Sequence, residues 1–249
     1  MSRRDNGAFR CDTCALHQSL CICAHVPAIS VASRLCLVMH RDEARKPTNT
    51  GRLAARCLLG SEVLIHGQQG ERVQAPWLQE SKCDVRSLGA TDLGAADLGA
   101  ADLGAADLDE APQSISGGVL LYPGDEAEPL SQEHLKNGPI RLVVPDGTWR
   151  QAAKMTKRIP WIADLPRVSL PPGRETTYRL RSEPKAGGLA TMEAITRAFA
   201  ILEGPEVAAQ LDDIFRRMVD RTLYSRGQLG RDDVYGGVPE GVERHKPTL

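Results

Sequence analysis

Four short apolar runs decide what this chain can fold into. "SRLCLVMH" (33–40), "EVLIH" (62–66), "GGVLLYPG" (117–124) and "PIRLVVP" (139–145) each have the length of one strand. Near-continuous apolar runs of this kind suit strands covered on both faces. Helical patterns fall between them: Asn49 or Thr50 can cap a short helix through about Leu59, another short helix lies near 131–136, and a longer one starts at Trp149. "PRVSL" (166–170) reads as a further strand. Thr191 is placed to cap a helix that carries Ile195, Phe199 and Leu202 on one face. Gly204-Pro205 ends that helix and starts another through Val207, Leu211, Ile214 and Met218. Strands alternating with helices predict an α/β fold, a mostly parallel sheet flanked by helices. In such sheets ligands bind beyond the carboxyl ends of the strands, which puts Tyr122-Pro123-Gly124 and Asp146-Gly147-Thr148 beside the expected pocket.

The 249 residues contain no run of about 18 apolar positions, and the first residues lack the apolar stretch of a secretory signal. A cytoplasmic protein with no membrane partner is expected. Its seven cysteines are then reduced thiols or metal ligands rather than disulfides. "CDTCALHQSLCIC" spaces four of them as Cys11-x2-Cys14-x6-Cys21-x-Cys23, close enough to close a tetrahedral zinc site with a knuckle at each end; the alternative is a chance cluster of free thiols. A segment as short as residues 1–30 has little core of its own, so metal would supply its folding energy. Cys36, Cys57 and Cys83 stand alone and are read as packing residues.

"TDLGAADLGAADLGAADLDEA" (91–111) repeats every five residues, a period that fits neither helix nor strand. It resembles one turn of a pentapeptide β-helix, but a single turn has no neighbour to stack on. Residues 84–116 are therefore read as an acidic low-complexity insertion, and the polar, Gly-rich tail 227–249 as loose. Residues 84–110 hold seven acids and one base, so the rest of the chain has 30 bases against 25 acids. That balance permits a nucleic-acid partner without requiring one.

Two basic surfaces point the same way. On the helix from Trp149, Arg150, Lys154, Lys157 and Arg158 fall within about 100° of one another, opposite Trp149, Ala152, Met155 and Ile159. The segment "PPGRETTYRLRSEPK" adds Arg174, Arg179, Arg181 and Lys185 around Tyr178, cations for phosphates with an aromatic for stacking. Either patch alone is also what an ordinary solvated face looks like.

At the strand-to-helix turn, "DGTW" (146–149) sets a carboxylate, a glycine and a tryptophan side by side in a chain with only 4% aromatic residues. Capping and turn formation account for such residues. The tetrapeptide also resembles the D-x-T-W signature of the DTW-domain family, the tRNA-uridine aminocarboxypropyltransferases. The N-terminal cysteine cluster, "HRDEARKPTNTGRLA" (40–54), "LLYPG" (120–124) and "YRLRSEPKAGGLATMEA" (178–194) resemble the other family blocks, in the right order.

The resemblance implies transfer of the 3-amino-3-carboxypropyl group from S-adenosylmethionine to N3 of a tRNA uridine, on a SPOUT-like and possibly knotted fold. Residues 31–226 would be the catalytic domain. Asp146, Thr148 and Trp149 would form the catalytic group, with Asp146 either the base for the N3 proton or an acceptor that only positions substrate. Leu121, Tyr122, Pro123, Gly124, Asp146, Gly147, Leu170, Leu189, Ala190 and Thr191 would line the donor site, and the helix N-terminus at Thr191 would hold an anionic group. Glu43, Arg45, Asn49 and Thr50 would meet the uridine or its phosphates, joined by Arg150, Lys154, Lys157, Arg174, Tyr178, Arg179 and Arg181 as RNA contacts. Two other functions fit the same residues: a SPOUT-like RNA methyltransferase, and a non-catalytic zinc-knuckle RNA-binding protein.

Overall fold

The computed structural model describes residues 9–68, 70, 72–75, 77, 115, 117–180 and 188–242. Contacts divide the chain into Met1–Val73 with Ser114–Leu249, and Gln74–Gln113. The pentapeptide repeat (91–111) and Cys83 lie outside the described residues.

Among the described residues six strands form one sheet: β1 (Arg34–His40), β2 (Glu62–His66), β3 (Gly118–Leu121), β4 (Glu128–Pro129), β5 (Arg141–Asp146) and β6 (Arg167–Ser169). Their spatial order is β2-β1-β5-β3-β6-β4, and every pair is parallel. The mostly parallel α/β fold expected from the alternating pattern is therefore present. Leu35 to Met39 of β1 and Leu142 to Val144 of β5 are buried on both faces, which is why these two runs are apolar without alternation. At the sheet's end, β2 leaves Val63 exposed. β5 runs one residue past Pro145: Val38 and Met39 of β1 pair with Pro145 and Asp146, whereas pairing with β3 stops at Val143.

That register matters for the site. After β1 the chain moves to β2 on one side, and after the adjacent β5 it moves toward β6 on the other. The loops leaving two neighbouring strands diverge, and a crevice opens at their carboxyl ends. Asp146 is the last residue of β5, at the floor of that crevice.

Among the described residues the α-helices are α1 (Arg41–Ala44), α2 (Gly51–Cys57), α3 (Trp149–Arg158), α4 (Pro160–Ala163), α5 (Thr191–Leu202) and α6 (Pro205–Ser225). On α3 the amphipathic reading holds: Ala152 and Met155 are buried, and Arg150, Lys154, Lys157 and Arg158 are exposed. Met192, Ile195, Phe199 and Leu202 of α5 pack with Leu211, Ile214, Phe215 and Met218 of α6 in the main core. Gly204, at a φ of +102°, makes the break between the two helices, and Pro205 starts the second. Three short elements, α1, β4 and α4, escape a reading based on periodicity.

Two expectations need correction. The cysteine segment buries Leu16, Ile22 and Ile29 in the same cluster as Leu35 and Phe215, so it shares the common core rather than lacking one. Nor is the tail loose over residues 227–242. Val234 is buried with Leu20 and Tyr224, flanked by Leu229, Val238 and Val242. Tyr235 donates its hydroxyl to Asp213 at 2.7 Å and its backbone N–H to Asp220 at 3.1 Å, with the Arg216 guanidinium 4.0 Å from its ring centre. These anchors are irregularly spaced among glycines and prolines, and no periodicity announces them. Residues 243–249 lie outside the described residues.

Candidate active site

A cavity of about 590 Å³ occupies the crevice, within the size range of small-molecule sites. Its wall is built at the ends of four strands: Glu43, Lys46, Thr48, Asn49 and Thr50 beyond β1, residues 121–123 at β3, 144–149 at β5, and 169–175 at β6. The start of α5 closes it.

Asp146 is 4% exposed and holds the site together. Thr191 Oγ1 donates to its Oδ1 at 2.6 Å and Asn49 Nδ2 donates to its Oδ2 at 2.6 Å. Residues 45 and 97 positions away thus converge on one carboxylate. Gly51 lets them do so, because a Cβ there would fall 2.8 Å from Asp146 Oδ2. Thr50 is the N-cap residue of α2, and Asn49 Oδ1, one residue before it, accepts from Arg52 N at 2.9 Å in the first turn. Thr50 Oγ1 accepts from Met192 N at 3.2 Å and so caps α5 from outside. The N-cap position of α5 belongs to Ala190, not Thr191 as the sequence suggests, since the Thr191 hydroxyl is drawn to Asp146. The anion beside this helix N-terminus is the protein's own carboxylate.

The DGTW turn divides its work. Thr148 is the N-cap of α3, and its reciprocal bonds with Gln151 form a capping box. Gly147 fits because a Cβ would meet Gln151 Cβ at 3.0 Å. Trp149 lines the cavity, tilted toward Tyr122 with ring centres 6.3 Å apart. Burial pushes the Tyr122 phenol up from its ordinary range. Glu43, 3% exposed, also faces the cavity and is ion-paired to Lys46.

Of the expected donor-site residues, Leu121, Tyr122, Pro123, Asp146, Gly147, Leu170, Leu189, Ala190 and Thr191 line this one cavity; Gly124 does not. Of the expected RNA contacts, Glu43, Asn49, Thr50, Arg174 and Tyr178 line it as well. Arg45, Arg150, Lys154 and Lys157 are exposed outside it, Arg179 is paired with Asp220 at 3.1 Å, and Arg181 lies outside the described residues. Tyr178 is no exposed platform. It is 5% exposed, stacked on Phe215, with its hydroxyl on the Thr48 carbonyl at 2.8 Å. Its basic neighbours in sequence suggest a surface, but the core takes the ring.

Sequence reasoning misses Glu193. Its buried carboxylate accepts from Thr176 Oγ1 (2.6 Å), Thr177 N (2.7 Å), Thr177 Oγ1 (3.1 Å) and Ala190 N (2.9 Å). One side chain therefore pins the loop after β6 to the start of α5. A glutamate three residues after a helix N-cap is the signal that could have found it.

The four thiols of Cys11, Cys14, Cys21 and Cys23 lie within 4.8 Å of one another and can hold a metal ion. A tetrahedral site with Zn–S bonds of about 2.3 Å has S···S edges of about 3.8 Å. The Sγ atoms of Cys11 and Cys21 are 3.6 Å apart, those of Cys11 and Cys23 3.7 Å, and those of Cys14 and Cys21 3.8 Å. The donor set fits the ion. Backbone bonds from Cys14 and Thr13 draw the Cys11 thiol down to about 6, while burial pushes Cys14 up to about 12. Cys36 and Cys57 are fully buried, as packing residues are, and burial pushes Cys57 up to about 12.

The family described as the DTW domain matches residues 8–223. The chain is 34% identical over 103 residues to tRNA-uridine aminocarboxypropyltransferase 2 of Drosophila melanogaster, covering 41% of this chain and 39% of that protein. It is 25% identical over 198 residues to tRNA-uridine aminocarboxypropyltransferase 2 of Macaca fascicularis, covering 78% of this chain and 56% of that protein. It thus spans about half or less of the length of both relatives. Among solved structures, the SAM-dependent rRNA:acp-transferase Tsr3 from Vulcanisaeta distributa aligns with a TM-score of 0.42 and 15% identity, over 84% of this chain and 86% of that one.

Proposed function

The chain belongs to the DTW-domain family, and we propose that it transfers the 3-amino-3-carboxypropyl group of S-adenosylmethionine to N3 of a uridine in tRNA. The observation that carries this reading is the cavity at the carboxyl ends of the strands, closed around an Asp146 held from two sides. Relatives named for this activity support it.

When bound, the donor supplies an electrophilic carbon on its sulfonium and a neutral thioether as leaving group. The uridine N3–C bond forms as the C–S bond breaks, and the N3 proton leaves to solvent or to a base. Which carbon reacts depends on which one the protein holds in line with N3. Asp146 accepts hydrogen bonds on both oxygens, so its role is to fix the geometry of what binds above it rather than to carry a proton away. Trp149 and Tyr122 supply an apolar wall, which suits the adenosine and excludes water. Thr148 shapes the turn through its cap. Incubating the protein and tRNA with donor labelled in the carboxyl carbon, and separately in the methyl group, tests the proposal. Carboxyl label should enter tRNA; entry of the methyl label would instead make the protein a methyltransferase.

The cysteine cluster is assigned to structural zinc, in a protein working in the reducing cytoplasm. Elemental analysis of unchelated protein should find about one zinc per chain. Cys11→Ser should lower that content and weaken tRNA use more than donor binding. Protein free of metal as isolated would contradict the assignment.

The exposed cationic stripe of α3 begins one residue after the cavity-lining Trp149 and is assigned to RNA phosphates. Reversing Arg150, Lys154 and Lys157 to Glu should weaken tRNA binding and flatten its salt dependence, by about 0.7–0.9 in log–log slope for each phosphate no longer neutralised. Donor binding should be unchanged. Wild-type tRNA affinity with a wild-type slope would show the stripe to be merely solvated.

A further inference from the structure

Two arginines converge on the cysteine cluster from helices far apart in sequence. Arg56, in the last turn of α2, points Nη2 at Cys23 Sγ, 3.6 Å away; its Nη1 is buried with no hydrogen-bond partner among the described residues. Arg221 of α6 is 3% exposed. It donates from Nη1 to the carbonyls of Cys21 at 2.7 Å and Leu20 at 3.5 Å, and its buried Nε likewise has no partner among the described residues. Burying a guanidinium with unused N–H groups is costly unless negative charge lies close by. Four neutral thiols supply none. A divalent cation bound by four thiolates leaves two negative charges in excess, the number that two guanidiniums balance.

We propose that Arg56 and Arg221 are the counter-cations of a tetrathiolate metal centre, Arg56 through the Cys23 sulfur and Arg221 through the carbonyls of the Leu20–Cys21 turn. The inference rests on the reading of the cluster as a metal site. Cations donating toward metal-bound sulfur lower the cost of assembling so many thiolates, and partners of this kind set metal affinity. The arrangement also gives the centre a reach into the active site. α2 carries Arg56 against Cys23 near its end, while Asn49, bonded to Arg52 N in its first turn, holds Asp146.

Zinc affinity measured by competition with a chromogenic chelator tests this without reference to activity. Arg56→Met and Arg221→Met should each weaken zinc binding by roughly 10- to 100-fold. Arg56→Lys, which restores the charge, should recover part of the loss. Because Arg221 is buried, Arg56→Met is the decisive variant should Arg221→Met not fold. Cobalt-loaded Arg56→Met should show a shifted sulfur-to-metal charge-transfer band, which a purely structural role for Arg56 would not move. Unchanged zinc affinity and an unchanged cobalt spectrum in Arg56→Met would overturn the proposal. Wild-type protein that binds neither metal would overturn the metal reading itself, a different and separable failure.

Discussion

Asp146→Ala is expected to lower turnover by about 10² or more, because misplacement of a reacting group by about 1 Å is already worth that much. The fold should survive. Thr148, not Asp146, caps α3, so the helix keeps its N-cap. The variant gives up a shared acceptor: the half-buried Asn49 amide and Thr191 hydroxyl each lose a hydrogen bond to a carboxylate, at a cost of about 1–3 kcal/mol. Asp146→Asn separates positioning from proton transfer. Its amide oxygen can still accept from Asn49, and its nitrogen can donate to a reversed Thr191 hydroxyl. A positioning role therefore predicts partial activity in Asn, whereas a base predicts Asn as inactive as Ala. Single-turnover rates and thermal melts on both variants make the comparison, and full activity in both would remove Asp146 from the mechanism.

The largest stability effect is expected at Glu193. Glu193→Ala strands two backbone N–H groups and two hydroxyls that now share one carboxylate. Even with the hydroxyls free to turn elsewhere and the exposed Thr177 N–H open to water, the buried Ala190 N–H left without this partner puts the loss at about 1–3 kcal/mol. Because the residue ties the loop of Thr176 and Thr177 to the start of α5, the cavity wall should loosen too, and the KM for the donor should rise more than turnover falls. Glu193→Gln retains acceptance on one side only and should lie between wild type and Ala. Denaturant unfolding and donor titration check both expectations; wild-type stability in Glu193→Ala would show that the clamp carries no weight.

The features legible in the sequence obey local rules. The buried strands at 34–40 and 141–146 announce themselves by unbroken apolar runs, α3 by its cap and its wheel of cations, and the cysteine cluster by spacing alone. The position of Asp146 at a strand end follows from the parallel sheet. Its partners do not: nothing local links Asn49, Asp146 and Thr191, which meet only because β1 and β5 are neighbours and α5 returns over them. Tyr178 goes the other way, since flanking arginines describe its sequence neighbours while Phe215 decides its environment. Residues 227–242 defeat a local reading for a similar reason, their anchoring residues being few and aperiodic.

The central claim is that the aminocarboxypropyl group, and not the methyl, is what the protein moves. Mass spectrometry of tRNA nucleosides after incubation with protein and S-adenosylmethionine tests it most directly. The account predicts a uridine heavier by one aminocarboxypropyl group, formed in step with 5′-methylthioadenosine. A uridine heavier by one methyl group, formed with S-adenosylhomocysteine, or unmodified tRNA that the protein nevertheless binds, would contradict it.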